Sequence, residues 1–214
     1  MEAIQKKSKT QNFYDKIAEV HHLSHHINGY KRSVAKVLRN LNLEVTPEST
    51  ILDAGMGTGV ITQALYFAGL KPKQVIGVDL SHNSLRVAQH EFDRNNETPA
   101  EKISTVQGNV LSLPLADESV DLILTCGVLE YVPLKDGLSE LARVLKPGGR
   151  VVLIPIKPSF VGAVLKLLYK FNIHTVENVI NASRKYFEID GKYKFPITDP
   201  IGWSKFVIVL KKKA

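Results

Sequence analysis

Between residues 48 and 156 short apolar runs alternate with longer stretches whose apolar positions recur every three or four residues. TILDA (50–54), QVIGVDL (74–80), KISTVQG (102–108), VDLILTCG (120–127) and RVVLIPI (150–156) predict five strands. VITQALYFAGL, closed by Gly69 and Pro72, predicts the first intervening helix. A cap-like SHNS from Ser81 opens a second, LRVAQHEFDRNN, and GLSELARVLK forms a third, stopped by Pro147, Gly148 and Gly149. Strands separated by amphipathic helices imply a parallel sheet, because each parallel crossover needs a dozen or more residues and both sheet faces must be covered. The predicted fold is a doubly wound α/β sheet, mostly parallel with an antiparallel C-terminal strand from WSKFVIVLKKK, and with helices on both faces.

The ends follow other patterns. Before Pro47 the chain is helical and histidine-rich; after Pro158 come an apolar, lysine-bearing helix candidate from Phe160, a polar stretch to Gly191, and the last strand. The expected organisation is one domain over 1–214: a helical lid (1–47), a cofactor-binding core (48–156), and an acceptor-side helix with the last strands (157–214). At 214 residues and 44% apolar content the chain supports one buried core. The lone Cys126 excludes an intramolecular disulfide, and the first residues show no signal pattern, so a reducing, cytoplasmic setting is expected. The net charge of +7 favours anionic partners, but Lys6, Lys7 and Lys9 at one end and Lys211, Lys212 and Lys213 at the other read as solvated tails.

In open α/β sheets ligands lie beyond the carboxyl ends of the strands, where strand order reverses. Gly55, Gly57 and Gly59 sit there, between the first strand and its helix, and Asp79 closes the second strand. Glycines let the backbone approach a ligand, and a carboxylate in the Asp79 place accepts from both hydroxyls of an adenosine ribose. Val60 stands where the dinucleotide fingerprint wants its third glycine, and a carboxylate at Asp53 repels phosphates. S-adenosylmethionine presents an ammonium and a carboxylate instead, which Asp53 and the loop amides match.

ILDAGMGTG, VIGVDLS, QGNVLSLPLADESVDLIL, CGVLEYV and LKPGGRVVLI stand in the order and spacing of class I S-adenosylmethionine-dependent methyltransferases, which residues 50–156 resemble. The fold is then Rossmann-like, and NFYDKIAE (12–19) resembles the helix over the cofactor in the family's small-molecule branch. The resemblance implies that Gly55 and Gly57 line the methionine moiety, with Met56 and Gly59 also in the cofactor-binding loop, that Asp79 binds the ribose, and that Leu80 meets the adenine. Asn109 and Val110 border the adenine; Asn109 stands where the family often has aspartate, and its amide oxygen can make the same bond without charge assistance. Cys126 offers its backbone carbonyl to the ammonium while its thiol packs, and Tyr14 lids the cofactor. The product is S-adenosylhomocysteine.

Methyl transfer needs alignment and water exclusion before it needs a dedicated catalytic group. If the acceptor requires a general base, the candidates are Tyr14, Glu130 and Tyr131, with Glu130 alternatively an exposed acid at a helix start. His21, His22, His25 and His26 have helical i,i+4 spacing, yet no cysteine or glutamate set completes a metal site, so none is expected. CGVLEYVP stands where enzymes modifying base or glutamine amino groups usually carry an Asn-Pro-Pro-Tyr type motif, and no nucleic-acid module is visible. The expected partner is a small organic or lipophilic acceptor, with peripheral membrane contact through 160–171 and nucleic acid disfavoured. The competing readings are a catalytically silent cofactor-binding subunit, an RNA or protein methyltransferase, and an NAD-dependent oxidoreductase.

Overall fold

In β1 (Thr50–Ala54) the parity of the chain sorts the core: Ile51 packs with the apolar cluster on one sheet face, and Leu52 and Ala54 with the cluster on the other. The computed structural model of the protein describes residues 29–159, 163, 167, 171–196 and 198–214. Helices α1 (Tyr30–Asn40), α2 (Val60–Phe67) and α3 (His82–Arg94) bury Leu38, Leu65 and Phe92 on the Ile51 face. The opposite face takes α4 (Leu134–Val144) and α5 (Val176–Ser183) through Leu138, Leu141 and Val179.

The remaining strands are β2 (Gln74–Asp79), β3 (Ile103–Gln107), β4 (Val120–Cys126), β5 (Leu145–Ile154), β6 (Phe187–Tyr193) and β7 (Val207–Lys212). They form one seven-stranded sheet ordered β3-β2-β1-β4-β5-β7-β6. Neighbours among β1 to β5 are parallel, and β7 runs antiparallel between β5 and β6. The order reverses between β1 and β4, so the crevice expected of this fold opens beyond Ala54 and Cys126.

Three elements differ from the sequence expectation. The third predicted helix ends at Val144, and β5 begins at Leu145, because a residue preceding proline is biased toward extended backbone and Lys146 precedes Pro147. The polar stretch before Gly191 contains α5 and edge strand β6, which pairs only with β7 and therefore exposes its alternate, polar side chains. Lys212 is no tail residue: it belongs to β7 and donates to Glu118 Oε1 at 3.0 Å and to the Leu145 carbonyl at 2.7 Å. The N-terminal lysines lie outside the described residues.

Candidate functional site

The loop leaving β1 is fastened to the end of β2. Gly55 N–H and Met56 N–H both donate to the Val78 carbonyl, at 2.8 and 3.1 Å, and Gly59 N–H closes the turn on the Met56 carbonyl at 3.0 Å. Gly55, Gly57 and Gly59 have φ of 73°, 56° and 79°, the left-handed region that glycine enters without strain. They serve different ends. A Cβ at Gly59 would lie 2.4 Å from the Phe92 ring, and one at Gly55 2.6 Å from Val128, so both are packing requirements. A Cβ at Gly57 would meet nothing within 4 Å; its backbone faces open space.

Asp79 stands against that space. Its Oδ2 accepts from Gly57 N–H and its Oδ1 from Ser81 N–H, both at 2.8 Å, and the carboxylate is half-buried. Ser81 in turn caps α3, its hydroxyl accepting from Ser84 N–H at 3.1 Å. One carboxylate therefore ties the glycine loop to the start of the next helix.

Asp53 shares the Ile51 side of β1, which carries it beneath the loop and away from solvent. Its Oδ2 accepts from the Thr62 hydroxyl of α2 at 2.6 Å, while Oδ1 is buried with no hydrogen-bond partner among the described residues. Burial pushes its pKa from 3.8 to about 7, the Thr62 hydrogen bond opposing and the Asp79 charge adding to the shift. The folded chain thus holds a proton that the unfolded chain has already released between those values. Stability from this group is complete below about pH 4 and declines as pH rises to about 7. Asp53→Asn should remove this decline, so thermal unfolding at pH 5 and pH 8 should show the variant gaining on the parent by about 5 °C or more at the higher pH. An unchanged gap would mean that Asp53 is ionised throughout.

Among the other expected residues, Met56 is turned inward, 3% exposed with its thioether over Gly77, and its N–H and carbonyl are both engaged within the loop. It anchors the loop rather than lining the crevice, because Gly77 leaves room for it on β2. Leu80 is half-buried, its carbonyl accepting from Gln107 Nε2 at 3.1 Å. Asn109 is exposed, and its side-chain oxygen accepts from Leu111 N–H at 3.0 Å; Val110 is buried. This loop is held by α4, where Glu140 accepts from Leu113 N–H and Arg143 donates to the Leu113 and Leu115 carbonyls. The Arg143 guanidinium beside Glu140 holds that carboxyl below its ordinary range.

At the end of β4 the Cys126 thiol does more than pack. Tyr30 Oη lies 2.8 Å from its sulfur, and Lys205 Nζ donates to it at 3.4 Å. Burial first, and then Cys126, push the Tyr30 hydroxyl pKa well above its ordinary range. Glu130 is 1% exposed, which overturns its reading as an exposed helix-start acid: its Oε1 accepts from Ile156 N–H at 2.6 Å and holds the end of β5. Tyr131 packs edge-on to Phe171, ring centres 5.6 Å apart. A cavity of about 330 Å³ adjoins this rim, lined by Lys157, Val176, Lys194, Phe195, Trp203, Lys205 and their neighbours.

Tyr14, the segment 12–19, and His21, His22, His25 and His26 lie outside the described residues, as does most of 160–171, of which Leu167 is 80% exposed. Among the described residues no three metal-ligating side chains converge, and no helix is long and apolar enough to cross a membrane. Sequence reasoning missed Thr62, Tyr30 and Lys205. Thr62 carries a signal as an aliphatic hydroxyl in the first turn of a mostly apolar helix; Tyr30 and Lys205 carry no local signal, since both reach Cys126 from far along the chain.

Residues 52–153 match the family described as a methyltransferase domain. The ubiquinone/menaquinone biosynthesis C-methyltransferase of Syntrophotalea carbinolica is 40% identical over 119 residues, 52% of this chain and 47% of that protein. The demethylmenaquinone methyltransferase of Chlorobaculum tepidum is 31% identical over 175 residues, 78% of this chain and 67% of that one. The chain thus spans about half the length of the first relative and two thirds of the second. Among solved structures, geranyl diphosphate C-methyltransferase of Streptomyces coelicolor A3(2), with Mg2+, geranyl diphosphate and S-adenosyl-L-homocysteine, superposes with a TM-score of 0.66 at 19% identity, over 87% of this chain and 82% of that one. A SAM-dependent methyltransferase of Methanosarcina mazei gives 0.66 at 21% identity, over 83% and 97%. These two likenesses concern the fold.

Proposed function

The chain belongs to the class I S-adenosylmethionine-dependent methyltransferase family, and on that footing we propose that it transfers a methyl group from S-adenosylmethionine to a small organic or lipophilic acceptor. The observation that carries this reading is the Asp79 carboxylate, held at the carboxyl end of β2 by two backbone N–H groups, one of them from Gly57, where a Cβ would meet nothing within 4 Å. A carboxylate fixed in this way is ready to accept from a ribose diol without reorganising.

The residues present fit the cofactor. Asp79 would accept from the ribose hydroxyls, Leu80 and Val110 would flank the adenine, and Asn109 keeps a second lone pair for the adenine amino group. The buried, unpartnered Asp53 Oδ1 is the acceptor that an ammonium would satisfy, directly or through water, and the Cys126 carbonyl would share it. Bound there, the cofactor supplies an electrophilic methyl group on a sulfonium. The chain's own task is to hold the acceptor in line with it and keep water out. One relative's name speaks of ubiquinone/menaquinone biosynthesis and the other's of demethylmenaquinone, and the aromatic and aliphatic walls of the adjoining cavity support an apolar acceptor body here.

Calorimetry on the full chain tests the reading. S-adenosylhomocysteine should bind in the micromolar range, and NAD should fail to displace it. Absence of binding by the unmodified protein, or displacement by NAD at comparable concentration, would overturn the assignment of the glycine loop.

A further inference from the structure

Beside the end of β4 the chain assembles positive charge on an apolar wall. Lys157, Lys194 and Lys205 line the cavity together with Phe195, Trp203 and Phe206, and none of its lining residues is a carboxylate. The bridge between Ile156 and Lys205, and the Lys157 N–H bond to the Ser204 carbonyl at 2.8 Å, bring the two backbone segments together at the carboxyl edge of the sheet, and both lysines line the cavity there. Lys157 Nζ donates to the Gly202 carbonyl and Lys205 Nζ to the Cys126 sulfur, so each ammonium retains two N–H donors. The buried Glu130 on the same rim is committed to Ile156 N–H, and among the described residues none of the three lysines pairs with a carboxylate. Three like charges gathered around apolar walls repel one another, and an anion between them reverses the sign of that interaction.

We propose that this cavity binds the ionised acidic group of an amphiphilic acceptor, the aromatic wall holding its apolar body and Lys157, Lys194 and Lys205 supplying the counter-charge. The proposal deepens the methyl-transfer reading and rests on it for the identity of the ligand as acceptor. Its volume, about 330 Å³, lies in the range of small-molecule sites. Lys205 gives the direction: its amine reaches from the cavity to Cys126, next to the crevice assigned to the methyl donor, and a Cβ at Gly127 would lie 3.4 Å from it. A cationic amine acceptor would be repelled from this wall. An acceptor bearing an anionic oxygen is drawn in and oriented, its charged end at the lysines.

Trp203 lines the cavity and is the only tryptophan in the chain, so its emission reports occupancy directly. The probes are octanoate and octanamide, which share an apolar tail and differ in charge. Octanoate should change Trp203 emission saturably and bind about tenfold tighter than octanamide, the contrast expected of a charge-assisted contact. Lys205→Met and Lys194→Gln should each weaken octanoate by about tenfold and leave octanamide unchanged. Equal affinity for the two probes would overturn the proposal, and so would full octanoate affinity in the exposed Lys194→Gln variant together with Lys205→Met. S-adenosylhomocysteine calorimetry on the same samples separates the two readings: loss of the anion contrast with cofactor binding intact rejects only the lysine subsite. A protein that binds octanoate but no S-adenosylhomocysteine rejects the methyltransferase site instead.

Discussion

Replacing Asp79 with alanine is expected to lower affinity for S-adenosylhomocysteine by at least about a hundredfold, the largest binding effect of any single substitution in the crevice. The carboxylate acts in two directions. Toward the protein it accepts from Gly57 and Ser81 N–H at 2.8 Å each, and in the proposed site it would also accept from the two ribose hydroxyls. Each charge-assisted hydrogen bond is worth about 1.5–3 kcal/mol, and the alanine variant also frees the loop whose shape the site needs. Asp79→Asn separates the two contributions. Its amide presents one oxygen where the carboxylate has two, and its NH2 opposes one of the backbone donors, so affinity should fall by an intermediate amount. Calorimetry beside a thermal melt decides the matter: an Asp79→Ala protein that melts normally and binds S-adenosylhomocysteine within threefold of the parent would remove Asp79 from the site.

Gly59→Ala should be the most destabilising exchange in the same loop, lowering the melting temperature by about 10 °C. The left-handed φ of 79° costs an alanine about 1 kcal/mol, and its Cβ would sit 2.4 Å from the Phe92 ring and 3.2 Å from Ala88. Phe92 is 1% exposed and has little room to yield, so overpacking adds about 1–3 kcal/mol. Gly57→Ala is the informative contrast. It carries similar backbone strain at φ 56°, but its Cβ meets nothing within 4 Å, so the melt should move by only about 2–4 °C while the methyl group intrudes on the crevice and weakens S-adenosylhomocysteine. If the two glycines exchanged these effects, the open space at Gly57 would not be the ligand cradle.

Much of this arrangement was legible in the chain itself. Runs such as TILDA and VDLILTCG, predominantly apolar where they cross the sheet, announce central parallel strands because both of their faces are buried. The α3 cap at Ser81, the glycine loop and the position of Asp79 follow from local rules of turn and helix-end chemistry. β6 was illegible for the opposite reason: an edge strand pairs on one side only, and its outward polar residues resemble a loop. For Asp53 the sequence indicated a carboxylate near the ligand, but only packing against α2 shows it sealed beneath the loop on Thr62, with its pKa raised to about 7.

By itself, then, the sequence determined the α/β alternation, the glycine loop and the place of the Asp79 carboxylate beside it, since each depends on residues close together along the chain. The surroundings of the acceptor were decided by tertiary structure. Tyr30 and Lys205 meet Cys126 across 96 and 79 residues of chain: Tyr30 comes from the start of α1, and Lys205 is delivered to the carboxyl edge of the sheet because β7 turns back between β5 and β6. Local patterning specifies strands and turns; which distant side chains become neighbours is set by strand order, and strand order is settled by how two apolar faces of one sheet are covered at once.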